Sequence, residues 1–321
     1  MFTISSYIRP SVFNYFKTRI LMMQENGQQG TARTYLATLR CLRRFRNGHD
    51  FEFSSVDANF IIDFDAWLQQ RGLTRNTLSF YMRIFRAVLN HASDDGYYQP
   101  IEPVRRIFRN VYTGIDRTPK RATQLVVLEE LLRIDLTQDP MLRRLILARD
   151  IFFFSFYTRG MAFVDIAYLR RENIHEGFIT YTRHKTNQTL SIGIEPCIRR
   201  IVNRYYYRPN SNGYVFPLIH SSRPEEAYRD YRNSLSAYNR ALMRLRHLLS
   251  IRLECDVPTL SSYVARHTWA TLAHDVDVPL RVISQSLGHS NERTTQIYLA
   301  QLDREVIDSA NLRVLSLINQ K

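Results

Sequence analysis

Cysteine is scarce in this 321-residue chain: Cys41, Cys197 and Cys255 stand far apart, odd in number and without a CxxC pair. That set excludes a disulfide framework, argues against a zinc site, and fits a reducing cytoplasm. With no ligand cluster or cofactor motif in view, neither a metal nor a cofactor is expected. Long apolar runs are missing too. The most apolar stretch, residues 145–157, is broken by Arg149 and Asp150. It is too short and too charged to span a bilayer and reads as a buried core helix, so no membrane partner is expected. Residues 1–6 lack the basic start and apolar core of a signal peptide, which again points to the cytoplasm. Acidic residues are the minority, with 30 Asp and Glu against 44 Lys and Arg, a formal net charge of +14. Arginine dominates the basic set and suits bidentate phosphate recognition, so a polyanion is the expected partner, nucleic acid ahead of membrane.

Hydrophobic residues make up 45% of the chain, enough for two domains with real cores. The first ninety-odd residues carry apolar residues at helical spacing. Phe13, Phe16, Ile20 and Met23 mark a first helix, which Gly27 and Gly30 interrupt. A second, over 31–46, puts Tyr35, Leu36, Leu39, Leu42 and Phe45 on one side and Arg33, Arg40, Arg43 and Arg44 on the other. A third runs over 57–70 to Gly72, and a fourth follows Thr74 with Arg75, Arg83 and Arg86 off its apolar face. This is a four-helix bundle over 1–98. Residues 99–122 break the pattern with Pro100, Pro103, Gly114 and Pro119 among Arg105, Arg106, Arg109, Arg117, Lys120 and Arg121. They read as an extended basic linker. A second domain over 123–321 is mostly helical. Helices are expected over 125–134, 140–157 and 163–169. Period-two alternation over 178–185, a turn near 186–188 and a strand over 189–194 then make a small antiparallel sheet. The fold class is mainly α.

Two blocks carry chemistry. Residues 259–272 read as a helix starting after Pro258, with Arg266 beside His267. Residues 287–298 begin with a Leu-Gly-His turn at Leu287, Gly288 and His289 and end at Tyr298. In this order and spacing the blocks resemble the tyrosine recombinase, or phage integrase, family, and the resemblance covers nearly the whole chain. It implies an N-terminal DNA clamp, a linker and a helical catalytic domain. Tyr298 would attack the scissile phosphate and form a 3′-phosphotyrosine without ATP or metal. Arg266 would grip non-bridging phosphate oxygens, with His289 beside it. Lys185, at the tip of the hairpin, would protonate the leaving 5′ oxygen, and Arg183 is the runner-up for its phosphate contact.

Two positions depart from the family's pattern. Tyr263 stands where a histidine is common, and a phenol is a poor base near neutral pH. Alignment on Asp165 places Ala162 where the first arginine belongs. Arg159, three residues earlier and roughly one helical turn back, takes that role here. Asp165 is expected to support an arginine by a salt bridge. Beyond Tyr298, an apolar stripe of Val306, Ile307, Ala310, Val314, Leu317 and Ile318 implies a docking helix that links protomers.

The implied function is site-specific DNA recombination through a Holliday junction. Four copies would act on double-stranded DNA with inverted-repeat core sites, for inversion or integration. The short N-terminal bundle leaves little room for an arm-binding domain, which leans towards a simple recombinase. The alternatives are a sequence-specific DNA-binding protein without cleavage and a type IB topoisomerase. A covalent protein–DNA complex that survives SDS separates the first of these from the recombinase. Relaxation of plasmids without any special site would favour the second.

Overall fold

The computed structural model describes residues 10–116, 122–206 and 211–288. It divides into two compact units, Met1–Thr118 and Pro119–Lys321.

In the first unit, α1 (Val12–Glu25) is started from outside its own sequence. Asp50 accepts from the Phe13 N–H at 2.9 Å and from the Ser11 hydroxyl at 2.6 Å, satisfying donors that a helix start leaves open. α2 (Gln29–Phe45) buries Tyr35, Leu39 and Leu42 and exposes Arg33, Arg40, Arg43 and Arg44. α3 (Ala58–Gln70) is capped by Asp57, whose carboxylate accepts from the Phe60 N–H at 2.8 Å. It stops at Gly72, where φ is +67°. α4 (Arg75–Asp94) closes the core around Phe16, Phe64 and Phe85, all fully buried.

The expected extended linker is corrected over much of its length. Residues 104–107 form a short helix, α5 (Val104–Ile107), and Val104, Ile107 and Phe108 are buried in the core of the first unit. The chain after it is tied to α4. Asn76 donates to the Asp116 carbonyl at 3.0 Å and accepts from its N–H at 2.8 Å, and the Ser79 hydroxyl donates to Gly114 O. The prolines and glycines signalled a break in periodicity, but three apolar residues between them were enough to fold the segment back. Arg105 and Arg106 remain exposed.

The second unit is mostly helical with a small sheet, as the sequence implied. α6 spans Leu125–Arg133. The single helix expected over 140–157 is two: α7 (Pro140–Arg143), capped by the Asp139 carboxylate, and α8 (Ile146–Tyr157). Between them the Leu145 N–H turns to the Leu142 carbonyl at 2.8 Å, a three-residue bond that lets Leu145 enter the core. α8 buries Phe152 and Phe154 completely. Its buried Asp150 is paired with Arg204 at 2.6 Å and accepts from the Tyr205 hydroxyl at 2.7 Å, so the charge that broke the apolar run is compensated. After α9 (Phe163–Ala167) come β1 (Ile174–His175), β2 (Phe178–Thr182) and β3 (Thr189–Gly193). They form an antiparallel sheet in the order β1-β2-β3, with Phe178 opposite Gly193 and Thr182 opposite Thr189. β1, only two residues long, carries too little alternation to be read in the sequence. α10 (Pro196–Tyr206), α11 (Pro224–Arg252), α12 (Val264–Asp275) and α13 (Leu280–Ser286) complete the unit. α12 starts later than expected, with Tyr263 as its first flanking residue rather than inside it.

Among the described residues no helix is long and apolar enough to cross a membrane, and no group of His, Cys, Asp and Glu is placed to hold a metal.

Candidate active site

The site is built where four stretches of the second unit meet: the turn after α8, the β2–β3 connection, α12 and the end of α13. Gly160 sits in the first of these with φ +76°, and a Cβ there would lie 2.7 Å from Arg266 Cγ and 2.9 Å from its Cα. Only glycine lets α12 come this close. Arg266 is buried on α12. Its Nη1 donates to Gly160 O at 2.7 Å and its Nη2 to Leu287 O at 2.5 Å. A guanidinium is a planar fork of donors, so two carbonyls on opposite stretches fix its orientation.

A second buried arginine lies beside it. Arg183 is 5% exposed; its Nη1 donates to Gly288 O and lies 3.5 Å from the Thr186 hydroxyl. Its Nε is 3.9 Å from Asp165 Oδ2. Asp165, buried on α9, also accepts from the His184 N–H at 2.9 Å and stands 3.2 Å from the His184 ring. Asp165 therefore supports an arginine as expected, and the arginine is Arg183. The rest of the constellation went unread because it consists of main-chain oxygens. Gly160, Leu287 and Gly288 accept through carbonyls, and positive-φ glycine was the only available sign of them.

Tyr181, on β2, lies among these charges. Burial pushes its phenol well above the usual tyrosine value, Asp165 pushes the same way, and the positive charges of Arg183, Arg266 and Arg159 oppose. The His184 ring packs on Tyr168 with centroids 4.6 Å apart, and burial pushes the Tyr168 phenol up to about 12.

The predicted residues fall as follows. Lys185 is exposed in the connection between β2 and β3, which is wider than expected. The Arg183 N–H donates to Gln188 O at 2.9 Å, the Asn187 N–H to Arg183 O at 2.9 Å, and Asn187 takes φ +56°. Lys185 therefore projects from a six-residue turn anchored by Arg183. Arg159 is exposed, with φ +57°, in the turn between α8 and α9. It is not on a helix, so the helical-face argument does not place it. The left-handed turn does, at a pocket of about 200 Å³ lined also by Leu190, Ser191, Gln285 and Ser286. Tyr263 is 47% exposed at the start of α12, its ring centroid 6.3 Å from that of His267. His289, Tyr298 and the apolar stripe over 306–318 lie outside the described residues. Arg183, the runner-up for a phosphate contact, is buried and donates from Nη1 to Gly288 O.

In the first unit, Arg33, Arg40, Arg43 and Arg44 line the exposed side of α2. On α4, Arg75 and Arg86 lean on the folded linker, while Arg83 bonds back to its own helix. Arg75 stacks over Tyr112 at 3.8 Å and pairs with Asp116 at 3.5 Å, while Arg83 contacts Ser79 O and Arg86 contacts Thr113, both at 3.4 Å.

Comparison with known proteins gives a consistent result. The model of the phage integrase SAM-like domain matches residues 11–104, and that of the phage integrase family matches residues 144–305. A tyrosine recombinase XerD from Lacticaseibacillus casei is 25% identical over 253 residues, covering 73% of this chain and 83% of the relative. Among solved structures, the Tn1549 transposon integrase in complex with transposon right end DNA superposes with a TM-score of 0.67 at 15% identity, covering 95% of this chain and 100% of that one. A lambda integrase tetramer bound to a Holliday junction gives a TM-score of 0.61 at 12% identity, covering 91% and 78%.

Proposed function

The chain belongs to the phage integrase family, the tyrosine recombinases that transfer DNA strands at specific sites, and we propose that Tyr298 is its nucleophile. In this reading the Tyr298 oxygen attacks the scissile phosphorus. A phosphorus–phenol oxygen bond forms and the bond to the 5′ oxygen breaks. The phenolic proton leaves to a base and Lys185 supplies a proton to the departing 5′ oxygen. One phosphoester replaces another, so the linkage energy is kept. A 5′ hydroxyl from a second duplex then reverses the step and yields a Holliday junction.

Arg266 and Arg159 stabilise charge on the non-bridging oxygens, where loss of one such donor costs about 10²–10³ in rate. Arg266 is held in plane by the carbonyls of Gly160 and Leu287. Tyr263, exposed at the start of α12, contributes a hydrogen bond, and proton removal from Tyr298 falls to His289 or to water. What supports the reading is that Arg266 and Arg183, the anchor of the Lys185 turn, both donate to the carbonyls of Leu287 and Gly288, while Arg159 lines a pocket with Gln285 and Ser286 just before them.

In the same reading Arg33, Arg40, Arg43, Arg44, Arg75, Arg83, Arg86, Arg105 and Arg106 contact mainly DNA phosphates. The substrate is double-stranded DNA with inverted-repeat core sites, in the cytoplasm, and the active species is a homotetramer linked through the stripe over 306–318. The lambda integrase tetramer on a Holliday junction supports that assembly by its shared fold. Inversion or integration is the outcome. A nicked suicide duplex tests the nucleophile. The wild-type chain should form an SDS-resistant adduct, and Tyr298→Phe should bind the duplex and form none. An adduct on the phenylalanine variant would remove Tyr298 from this role.

A further inference from the structure

We infer that Arg183 is a positioning residue for strand cleavage, fixing the Lys185 turn against the turn that precedes His289. The inference rests on the roles assigned above to Lys185 and His289.

Arg183 is 5% exposed, and the groups its Nη1 and Nε face are atoms of the protein itself. A buried guanidinium costs stability unless it is well partnered, and an apolar side chain of similar size often serves a core better. Its partners therefore indicate what it is for. Nη1 donates to the carbonyl of Gly288, one peptide before His289. Nε faces Asp165 Oδ2 at 3.9 Å, and the same carboxylate holds the His184 N–H at 2.9 Å. The Arg183 main chain closes both ends of the turn that carries Lys185, through Gln188 O and the Asn187 N–H. One side chain thus joins α9, the lysine turn and the histidine turn. The levers are short: two residues lead from Arg183 to Lys185, and one from Gly288 to His289. Space is tight as well, since a Cβ on Gly288 would lie 2.6 Å from Arg183 Cδ and 3.0 Å from its Nη1. A shift of the fork therefore moves both turns.

Lysine at this position keeps the charge but radiates its three N–H donors from one atom, so it does not span the carboxylate and the carbonyl that the guanidinium meets from two separate nitrogens. The test uses the full-length protein, saturating, in single-turnover cleavage of a nicked suicide duplex. A parallel substrate carries sulfur in place of the bridging 5′ oxygen. A thiol ionises at about 8.5, so a thiolate departs without the proton that Lys185 supplies. Arg183→Lys should melt near the wild-type temperature and bind the duplex with unchanged affinity. It should cleave the oxygen substrate about ten- to a hundredfold more slowly, the scale of a 1 Å misplacement. The defect should shrink on the sulfur substrate, as it should for Lys185→Ala. Arg183→Met should show the same pattern with a larger defect. If it does not fold, the lysine variant decides. Wild-type cleavage by Arg183→Lys, or an equal defect on both substrates, overturns the inference. Wild-type cleavage by Lys185→Ala and His289→Ala would instead sink the assignment beneath it.

Discussion

Arg183 and Arg266 take adjacent main-chain carbonyls of one turn: Arg183 donates to Gly288 O and Arg266 to Leu287 O. The arginines come from sites 83 residues apart in sequence and reach the turn from the β2–β3 connection and from α12. The turn therefore has no freedom to slide along either. Such a crossing needs glycine where a side chain would intervene. Gly288, at φ +62°, would put a Cβ against the movable end of Arg183, whereas Gly160, at φ +76°, would put one 2.9 Å from the Arg266 Cα. A left-handed conformation costs a non-glycine residue about 1–2 kcal/mol by itself. Gly160→Ala adds a backbone clash and should be the more destabilising of the two. Gly288→Ala should lose cleavage with the smaller loss of stability. Urea titrations and suicide-substrate cleavage rates check both, and a reversed order of stability would contradict the packing.

Asp165 stands opposite the Arg183 Nε at 3.9 Å, in contact but beyond hydrogen-bond range. Its firmer bond is to the His184 N–H at 2.9 Å. Asp165→Asn keeps an acceptor for that N–H and gives up only the charge, so it should cost about 1–3 kcal/mol. Asp165→Ala removes both and leaves a buried guanidinium without its counter-charge, for which about 3–5 kcal/mol is expected. Equilibrium unfolding of the two variants gives the comparison. Equal losses would mean that the carboxylate's charge, and not its acceptor role towards the His184 N–H, is all that matters at this site.

The helical bundle and the small sheet were legible because periodicity encodes them, whereas a shared site for Arg266 and Lys185 was only what the family resemblance implied. Residues 104–108 were not, since a proline-rich basic segment gives no hint that Val104, Ile107 and Phe108 will find a core. Arg159 was chosen for its proximity in sequence to Asp165, yet what places it is a left-handed turn that no helical wheel describes. Arg183 was read as the runner-up for the phosphate contact of Lys185, its neighbour on the hairpin, and not as a buried residue. Its burial depends on a carbonyl 105 residues away. Long-range contacts to main-chain atoms leave no mark on residue type.

Tyr238, on α11, stacks on Phe163 with ring centroids 4.8 Å apart and planes at 12°. Its hydroxyl is buried without a hydrogen-bond partner among the described residues. Tyr238→Phe keeps the stack and removes an unsatisfied polar atom, so it should be neutral or stabilising by about 1 kcal/mol. Burial raises the Tyr238 phenol, and burial foremost raises that of Tyr181. An unfolded tyrosine releases its proton near pH 10, so above that pH the folded state binds more protons and stability falls as pH rises. Below about pH 10 these groups contribute no pH dependence. The melting temperature of the wild-type chain should drop between pH 9 and pH 11, and that of Tyr238→Phe should drop less. Parallel pH profiles for the two would show that the Tyr238 phenol is not shifted.

The α2 and α4 arginines should differ in what they give to DNA binding. Arg40 and Arg44 are exposed on α2, one turn apart. Arg75 is committed within its own unit to the Tyr112 ring at 3.8 Å and to Asp116 at 3.5 Å. Each phosphate neutralised on duplex DNA contributes about 0.9 to the slope of log affinity against log salt. The double variant Arg40→Gln, Arg44→Gln should therefore flatten that slope by about two, weakening binding nearly uniformly across DNA sequences. Arg75→Gln should flatten it by less than about one, because part of its charge is already met by Asp116. Binding titrations from low to moderate salt give the slopes. If Arg75→Gln lowers the slope as much as an α2 arginine does, the Asp116 pair yields to phosphate when DNA arrives.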